Sequence, residues 1–410
     1  MTRPLTHARL ASLLAALSSI GPFAIDAYLP AFPAIGAALG ASQLEVQQTL
    51  TIYMAALAAM VLWHGALADR FGRRRVLIAL TVVFALASLV CALAPSIEWL
   101  WVGRALQGLS GGAGIVVGRA VVRDLHEGPQ AQRLMSRVML IFALAPALAP
   151  LVGAGLLALA GWRAIFLFLT LFGFVLAWVT WRFLPETLAE EDRQPLHPLA
   201  LLRAYLAIFR HPGFLLLALG VALNFNGFFL YVLSAPVFIL EHLGLGSGGF
   251  VWLFGPAVGG MMIGSMLSER MAGRWSPVRT VGTGFVLMFA AVVANAAVSG
   301  LFAPGVPRSV LPIGLFSCGM AVAMPSMSLL GLELFPERRG MASSCQSFLQ
   351  IGFNAASSAL VAPALWSSPL GLASGMGMFA ALGLCTWLAW RRLAGRGPAT
   401  ARLGEMAPRP

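Results

Sequence analysis

Eight stretches of this chain are each about as long as a membrane-crossing helix or longer, and none contains an Asp, Glu, Lys or Arg. They are 46–68, 76–97, 138–162, 164–181, 212–240, 242–268, 280–307 and 309–332. A further stretch, 340–390, is uncharged over about two such lengths and breaks between Pro363 and Pro369. Two more apolar runs carry a single charge each. Asp26 lies between the uncharged segments 10–25 and 27–44, and Arg104 lies between 99–103 and 105–118. A lipid interior offers backbone N–H and C=O groups no outside partner, so runs of this length must be helical. The expected fold is an all-α integral membrane protein with about twelve transmembrane helices. The composition agrees, with 59% hydrophobic and 10% charged residues in 410.

The formal net charge of +12 could suggest a nucleic-acid partner, but the placement of the charges argues against one. Lysine is absent, and the arginines gather in alternate loops: Arg3 and Arg9; Arg70, Arg73, Arg74 and Arg75; Arg123, Arg133 and Arg137; Arg193, Arg203 and Arg210; Arg270, Arg274 and Arg279; Arg338 and Arg339; Arg391, Arg392, Arg396 and Arg402. The intervening loops hold little beyond Arg163 and Arg308. Cytoplasmic loops of membrane proteins carry such an excess, so both termini are expected in the cytoplasm. The apolar run after Arg9 lacks a cleavage site and continues to Asp26 and Pro30, which marks it as a retained first span rather than a signal peptide. The longest hydrophilic stretch, 185–212, falls near the middle of the chain. It suggests two six-helix bundles, 1–187 and 213–394, joined by a cytoplasmic linker at 188–212 and followed by a disordered polar tail at 395–410. Parallel repeats of six spans characterise one large class of transporters.

An ionisable side chain at the depth of Asp26 or Arg104 costs about 2.5 kcal/mol or more. Such groups face a partner or an aqueous cavity, and two of opposite sign point to a proton- or ion-coupled pathway. The duller alternative is a fixed structural pair between them. Phe23 and Pro30 fall on the same helical face as Asp26. With Tyr28, Tyr53, Asn224, Phe225, Asn226, Phe228 and Phe229 they are candidates to line an aromatic, sparsely polar pocket suited to lipophilic molecules. His64 ends the second span and reads as an interfacial histidine. Gly255/Gly259 and Gly260/Gly264 have the spacing of close helix contacts. Cys91, Cys318, Cys345 and Cys385 lie in apolar spans without metal-ligand spacing, so they are read as packing residues, with no disulfide and no metal. No constellation of catalytic residues or soluble domain suggests an enzyme or a receptor, no cofactor is expected, and nothing resembles an ATP-binding P-loop.

Several motifs carry a family resemblance. Gly65-Ala66-Leu67-Ala68-Asp69-Arg70-Phe71-Gly72-Arg73-Arg74-Arg75 resembles the cytoplasmic loop motif of the major facilitator superfamily, with a weaker echo at 264–274. On its own chemistry, Gly65 allows close helix approach, Gly72 a tight turn, and the arginines hold the loop inside. The resemblance implies a conformational latch between the halves involving Gly65, Asp69, Arg70, Gly72, Arg73 and Arg123, with Arg119 or Arg123 as the partner of Asp69. Arg104-Ala105-Leu106-Gln107-Gly108 resembles the family's Arg-x-x-Gln-Gly pattern, whose arginine is implicated in proton coupling. Pro146, Pro150 and Gly153 in the fifth span are similar to the helix-5 signature of drug/proton antiporters. Gly161-Trp162-Arg163 and Leu184-Pro185-Glu186-Thr187 look like further loop landmarks. Asp26-Ala27-Tyr28-Leu29-Pro30-Ala31-Phe32-Pro33 resembles the Bcr/CflA branch of chloramphenicol, bicyclomycin and multidrug exporters.

The resemblance implies proton-coupled efflux of lipophilic drugs or antibiotics across the bacterial inner membrane by alternating access. Asp26 and Arg104 would couple the proton, and the protein would act as a monomer. A dedicated metabolite exporter or importer of the same superfamily is the alternative.

Overall fold

The computed structural model describes residues 7–126 and 128–395. Arg3, Arg396, Arg402 and nearly all of the segment expected to be a disordered tail lie outside the described residues. Among the described residues the regular elements are helical. Twelve of these helices are long and apolar enough to cross a membrane: span 1 His7–Leu39, span 2 Gln43–Phe71, span 3 Arg73–Ala92, span 4 Ile97–Leu125, span 5 Gln130–Ala160, span 6 Trp162–Phe183, span 7 Pro212–Leu233, span 8 Ser247–Met271, span 9 Pro277–Leu301, span 10 Leu311–Glu333, span 11 Pro336–Leu365 and span 12 Pro369–Ala394.

Local sequence explains where these helices begin. Ser42 and Glu45 form a reciprocal capping box at the start of span 2. The side chains of His211, Ser276 and Ser368 accept the first free N–H groups of spans 7, 9 and 12, each followed by a proline at the start of its helix. Gly72, with φ +96°, turns the chain sharply between spans 2 and 3.

The chain divides after Pro198 into two compact units, each with six spans. Inside each unit the same pairs of helices meet: spans 2 and 4, 3 and 4, 3 and 6, 1 and 4, and 1 and 5 in the first; spans 8 and 10, 9 and 10, 9 and 12, 7 and 10, and 7 and 11 in the second. The segment expected to be a linker, 188–212, contains a helix, Pro198–Phe209, that buries Tyr205 and Ile208. Backbone approach is close in the second unit. A methyl group on Gly260 or Gly264 would meet the backbone of Gly314 or Cys318 in span 10, whereas Gly255 and Gly259 face open space. Only one of the two expected glycine pairs therefore makes a helix contact. All four cysteines are free, and Cys385 is exposed on the surface of span 12.

Span 1 is not one continuous helix. It runs from His7 to Asp26, tightens into a short turn at Leu29–Ala31, and resumes at Phe32–Leu39. Pro30 and Pro33 lack the N–H groups that would bond the carbonyls of Asp26 and Leu29. Spans 4 and 5 also break, at Gly112 and at Leu144. The second unit has π-helical turns at Val237–His242 and Ser357–Val361.

Candidate functional site

Asp26 is the last residue of the first helical piece of span 1 and is 5% exposed. Arg104 enters from span 4 and is fully buried. The two do not form an ion pair: among the described residues the ion pairs are Arg73–Asp69, Arg73–Asp124 and Arg193–Glu190. Instead, Arg104 Nη1 donates to the Ala24 carbonyl at 2.9 Å and to Gln107 Oε1 at 2.7 Å, and Nε donates to the Thr49 carbonyl at 3.4 Å. Its guanidinium carbon lies 4.4 Å from the ring centres of both Tyr28 and Tyr53. A planar, weakly hydrated cation suits such a slot, where carbonyl dipoles and two aromatic faces stand in for a carboxylate. Gln107 Nε2 donates in turn to Ser88 Oγ at 2.7 Å, and Ser88 Oγ donates to the Phe84 carbonyl at 2.7 Å. Tyr28 and Thr49 hydroxyls are 3.0 Å apart. Arg104 Nη2 and the Tyr53 hydroxyl are buried without a hydrogen-bond partner.

The arrangement follows from the break in span 1. Carbonyls in the last turn of a helix lack intrahelical partners, and Ala24 offers one of them to Arg104. Span 5 supports the same corner. A methyl group on Gly153 would collide with the Ala27 carbonyl oxygen, so glycine alone lets span 5 lie against the bend. Buried Pro150 sits one turn before it. Pro146, half-buried, is the second residue of the helical piece. Arginine, aspartate and the helix-5 glycine, widely separated in sequence, thus meet at one backbone irregularity.

The loop motif forms a second polar cluster. Asp69 pairs with Arg73, and Arg73 Nε also reaches Asp124 Oδ2 at 3.1 Å. Arg119 and Arg123, expected as partners of Asp69, do not pair with it: Arg73, at the start of span 3 just across the Gly72 turn, fills that place. Glu186 Oε1 accepts the backbone N–H of Arg73 at 2.8 Å and of Arg74 at 3.3 Å, capping the amino end of span 3. Thr187 Oγ1 donates to Asp124 Oδ2 at 2.9 Å, and the Gln194 N–H donates to the Asp69 carbonyl at 3.2 Å. Arg70 and Arg123 are exposed. Gly65 needs no close approach, since a methyl group there would make an ordinary contact 3.9 Å from Val116. Asp124 had no signal of its own in the sequence; Glu186 was visible only as part of the Leu-Pro-Glu-Thr landmark.

A family model described as Major Facilitator Superfamily matches residues 13–357. The chain is 33% identical over 348 residues to the uncharacterized MFS-type transporter YdgK of Bacillus subtilis (strain 168), covering 83% of this chain and 85% of the relative. This chain belongs to the Major Facilitator Superfamily. It is 30% identical over 330 residues to the chloramphenicol resistance protein of Pseudomonas aeruginosa, covering 78% and 76% of the two chains. To the bicyclomycin resistance protein homolog of Haemophilus influenzae it is 29% identical over 358 residues, covering 85% and 87%. Among solved structures, a bacterial homolog to the human lysosomal transporter Spinster, inward-facing and unoccupied, superposes with a TM-score of 0.69 at 17% identity over 98% of both chains, and shares the fold. The protein is a multi-pass membrane transporter and not an enzyme.

In this transporter the residues expected to line a pocket have more specific positions. Tyr28 and Tyr53 are fully buried against Arg104, and Pro30 is buried in the turn beside them. Phe23 is half-buried against Phe168 and Phe172 of span 6, with ring centres 5.9 and 5.7 Å away. Asn224 points into the packed interior of the second unit, where Gly383 leaves room for its side-chain oxygen. Asn226 donates to the Ala222 carbonyl at 2.8 Å and to Asn354 Oδ1 at 3.0 Å, tying span 7 to span 11. Phe225 stacks on Phe229 at 5.3 Å and meets Phe228 edge-on at 6.1 Å. His64 is fully buried, not interfacial, with Nε2 3.0 Å from the Leu109 carbonyl of span 4.

Proposed function

We propose that this transporter exports lipophilic drugs or antibiotics across the bacterial inner membrane in exchange for protons, by alternating access and as a monomer with both termini in the cytoplasm. The observation that carries the proposal is the state of Asp26. Its carboxyl is buried at a helix break and forms no ion pair among the described residues, while Arg104, the cation buried nearby, is held by two carbonyls, Gln107 and two tyrosine rings. A carboxylate so placed has no built-in counter-charge, so it needs a proton or a cationic group from outside. Proton and substrate then compete for one acid, which is the minimum that exchange requires. Arg104 acts on this acid through the backbone: by holding Ala24 it fixes the bend at whose edge Asp26 stands. The names of two relatives, a chloramphenicol resistance protein and a bicyclomycin resistance protein homolog, point to antibiotics as the cargo.

The test is transport by the purified protein in sealed vesicles with an imposed pH gradient, alongside drug-susceptibility profiling in an efflux-deficient bacterium. The proposal expects uphill drug movement that a protonophore abolishes, and resistance to several unrelated compounds. Uptake or release of one metabolite with no drug phenotype would instead identify a dedicated carrier. Export that is indifferent to both ΔpH and voltage would refute proton coupling.

A further inference from the structure

A basic pocket lies where the start of span 1 meets the start of span 5. It has a volume of about 220 Å³ and is lined by His7, Gln130, Arg133, Leu134 and Arg137. The His7 ring stacks on His126, at the end of span 4, with centres 4.6 Å apart, so three spans converge on it. Among the described residues none that lines it is acidic, and neither arginine takes part in an ion pair. Asp124, close in sequence, is already engaged by Arg73 and Thr187.

The helix that carries the two arginines continues in an informative way. Gln130, Arg133, Arg137, Leu140 and Ile141 follow the spacing of a single helical face within Gly128–Phe142. Leu140 is 65% and Ile141 39% exposed, whereas Leu134 and Val138 are turned inward and buried. The face therefore presents cationic groups at the helix end and bare aliphatic groups next to them. A free phosphate needs the first feature alone; a phospholipid uses both.

We propose that His7, Gln130, Arg133 and Arg137 form a binding site for the phosphate headgroup of an anionic phospholipid, with an acyl chain lying along Leu140 and Ile141. Arginine matches phosphate oxygens with paired N–H donors. Basic pockets between spans on the cytoplasmic side hold anionic headgroups in just this way. The site is separate from Asp26 and stands whether or not the protein exports drugs.

The experiment uses the full-length protein in mild detergent, titrated with phosphatidylglycerol or phosphatidylcholine, with bound lipid counted by native mass spectrometry. The wild type prefers phosphatidylglycerol. Each arginine near an anionic surface is worth about fivefold in affinity, so the Arg133→Gln/Arg137→Gln double variant loses up to about thirtyfold of that preference. An unchanged preference in the double variant overturns the site. Displacement of the lipid by millimolar inorganic phosphate alone overturns the lipid assignment in favour of a soluble anion. A measurement on the unaltered protein guards against a variant that does not fold: photoactivatable phosphatidylglycerol labels the 128–142 segment, and labelling confined to other spans refutes the proposal.

Discussion

Replacing Gly153 with alanine tests whether the bend at Asp26 rests on span 5. The added methyl would fall on the Ala27 carbonyl oxygen, a backbone atom that no rotamer change can move aside. Overpacking of this kind costs about 1–3 kcal/mol. Gly→Ala in a helix returns about 0.5–1 kcal/mol, which leaves a net loss of up to about 2.5 kcal/mol. Gly155 provides the control. It lies in the same helix with nothing within 4 Å of an added methyl, so Gly155→Ala is neutral or stabilising by up to about 1 kcal/mol. Unfolding of both variants, followed by intrinsic fluorescence in detergent, should separate them by about 2 kcal/mol. Transport in vesicles should fall in Gly153→Ala alone, because span 5 must retreat from the residue next to Asp26. If the two variants unfold together and transport alike, the contact between spans 1 and 5 does not support the site, and the reasoning fails.

The other expectations concern the same two clusters. Asp26→Asn inserts and folds but loses pH-driven export, and vesicle assays that find it unimpaired remove Asp26 from the mechanism. Arg104→Lys keeps the charge yet cannot serve Ala24, Gln107 and two tyrosine faces at once. It loses about 2 kcal/mol of stability and most transport, and full activity in that variant would show that the planar group is dispensable. Gln107→Leu strands Arg104 Nη1 on one partner and removes the hydrogen bond that Ser88 Oγ accepts, a loss of about 1–3 kcal/mol read as a lower unfolding temperature. Glu186→Ala removes the cap from the start of span 3 and lowers stability by about 0.5–2 kcal/mol, with no change expected in substrate profile.

Much of this was legible because membrane physics writes itself into composition. Spans, their number and the positions of Asp26 and Arg104 follow from where charges are absent. Gly72 was readable because a sharp turn between two helices demands positive φ. Partnerships were less legible. Asp69 has Arg70, Arg73, Arg74 and Arg75 close in sequence, with Arg119 and Arg123 offered by another loop, and only the geometry selects Arg73. Gly260 and Gly264 contact a neighbouring helix while Gly255 and Gly259 do not, because spacing sets a stripe but not which stripe meets a partner. Asn224 reads as a pocket residue by type, yet its helical face is the one packed against span 12.

By itself, the sequence determined that this chain is a bundle of about twelve membrane helices, with a buried acid and a buried base among them. Both conclusions rest on solvation, a property that each residue carries wherever it goes. Only the tertiary structure decided that acid and base do not pair, and that the base instead caps a broken helix held open by a glycine from span 5. Which of several carbonyls, rings and carboxylates comes within 3 Å of a guanidinium depends on how helices distant in sequence lie against one another, and solvation does not encode that.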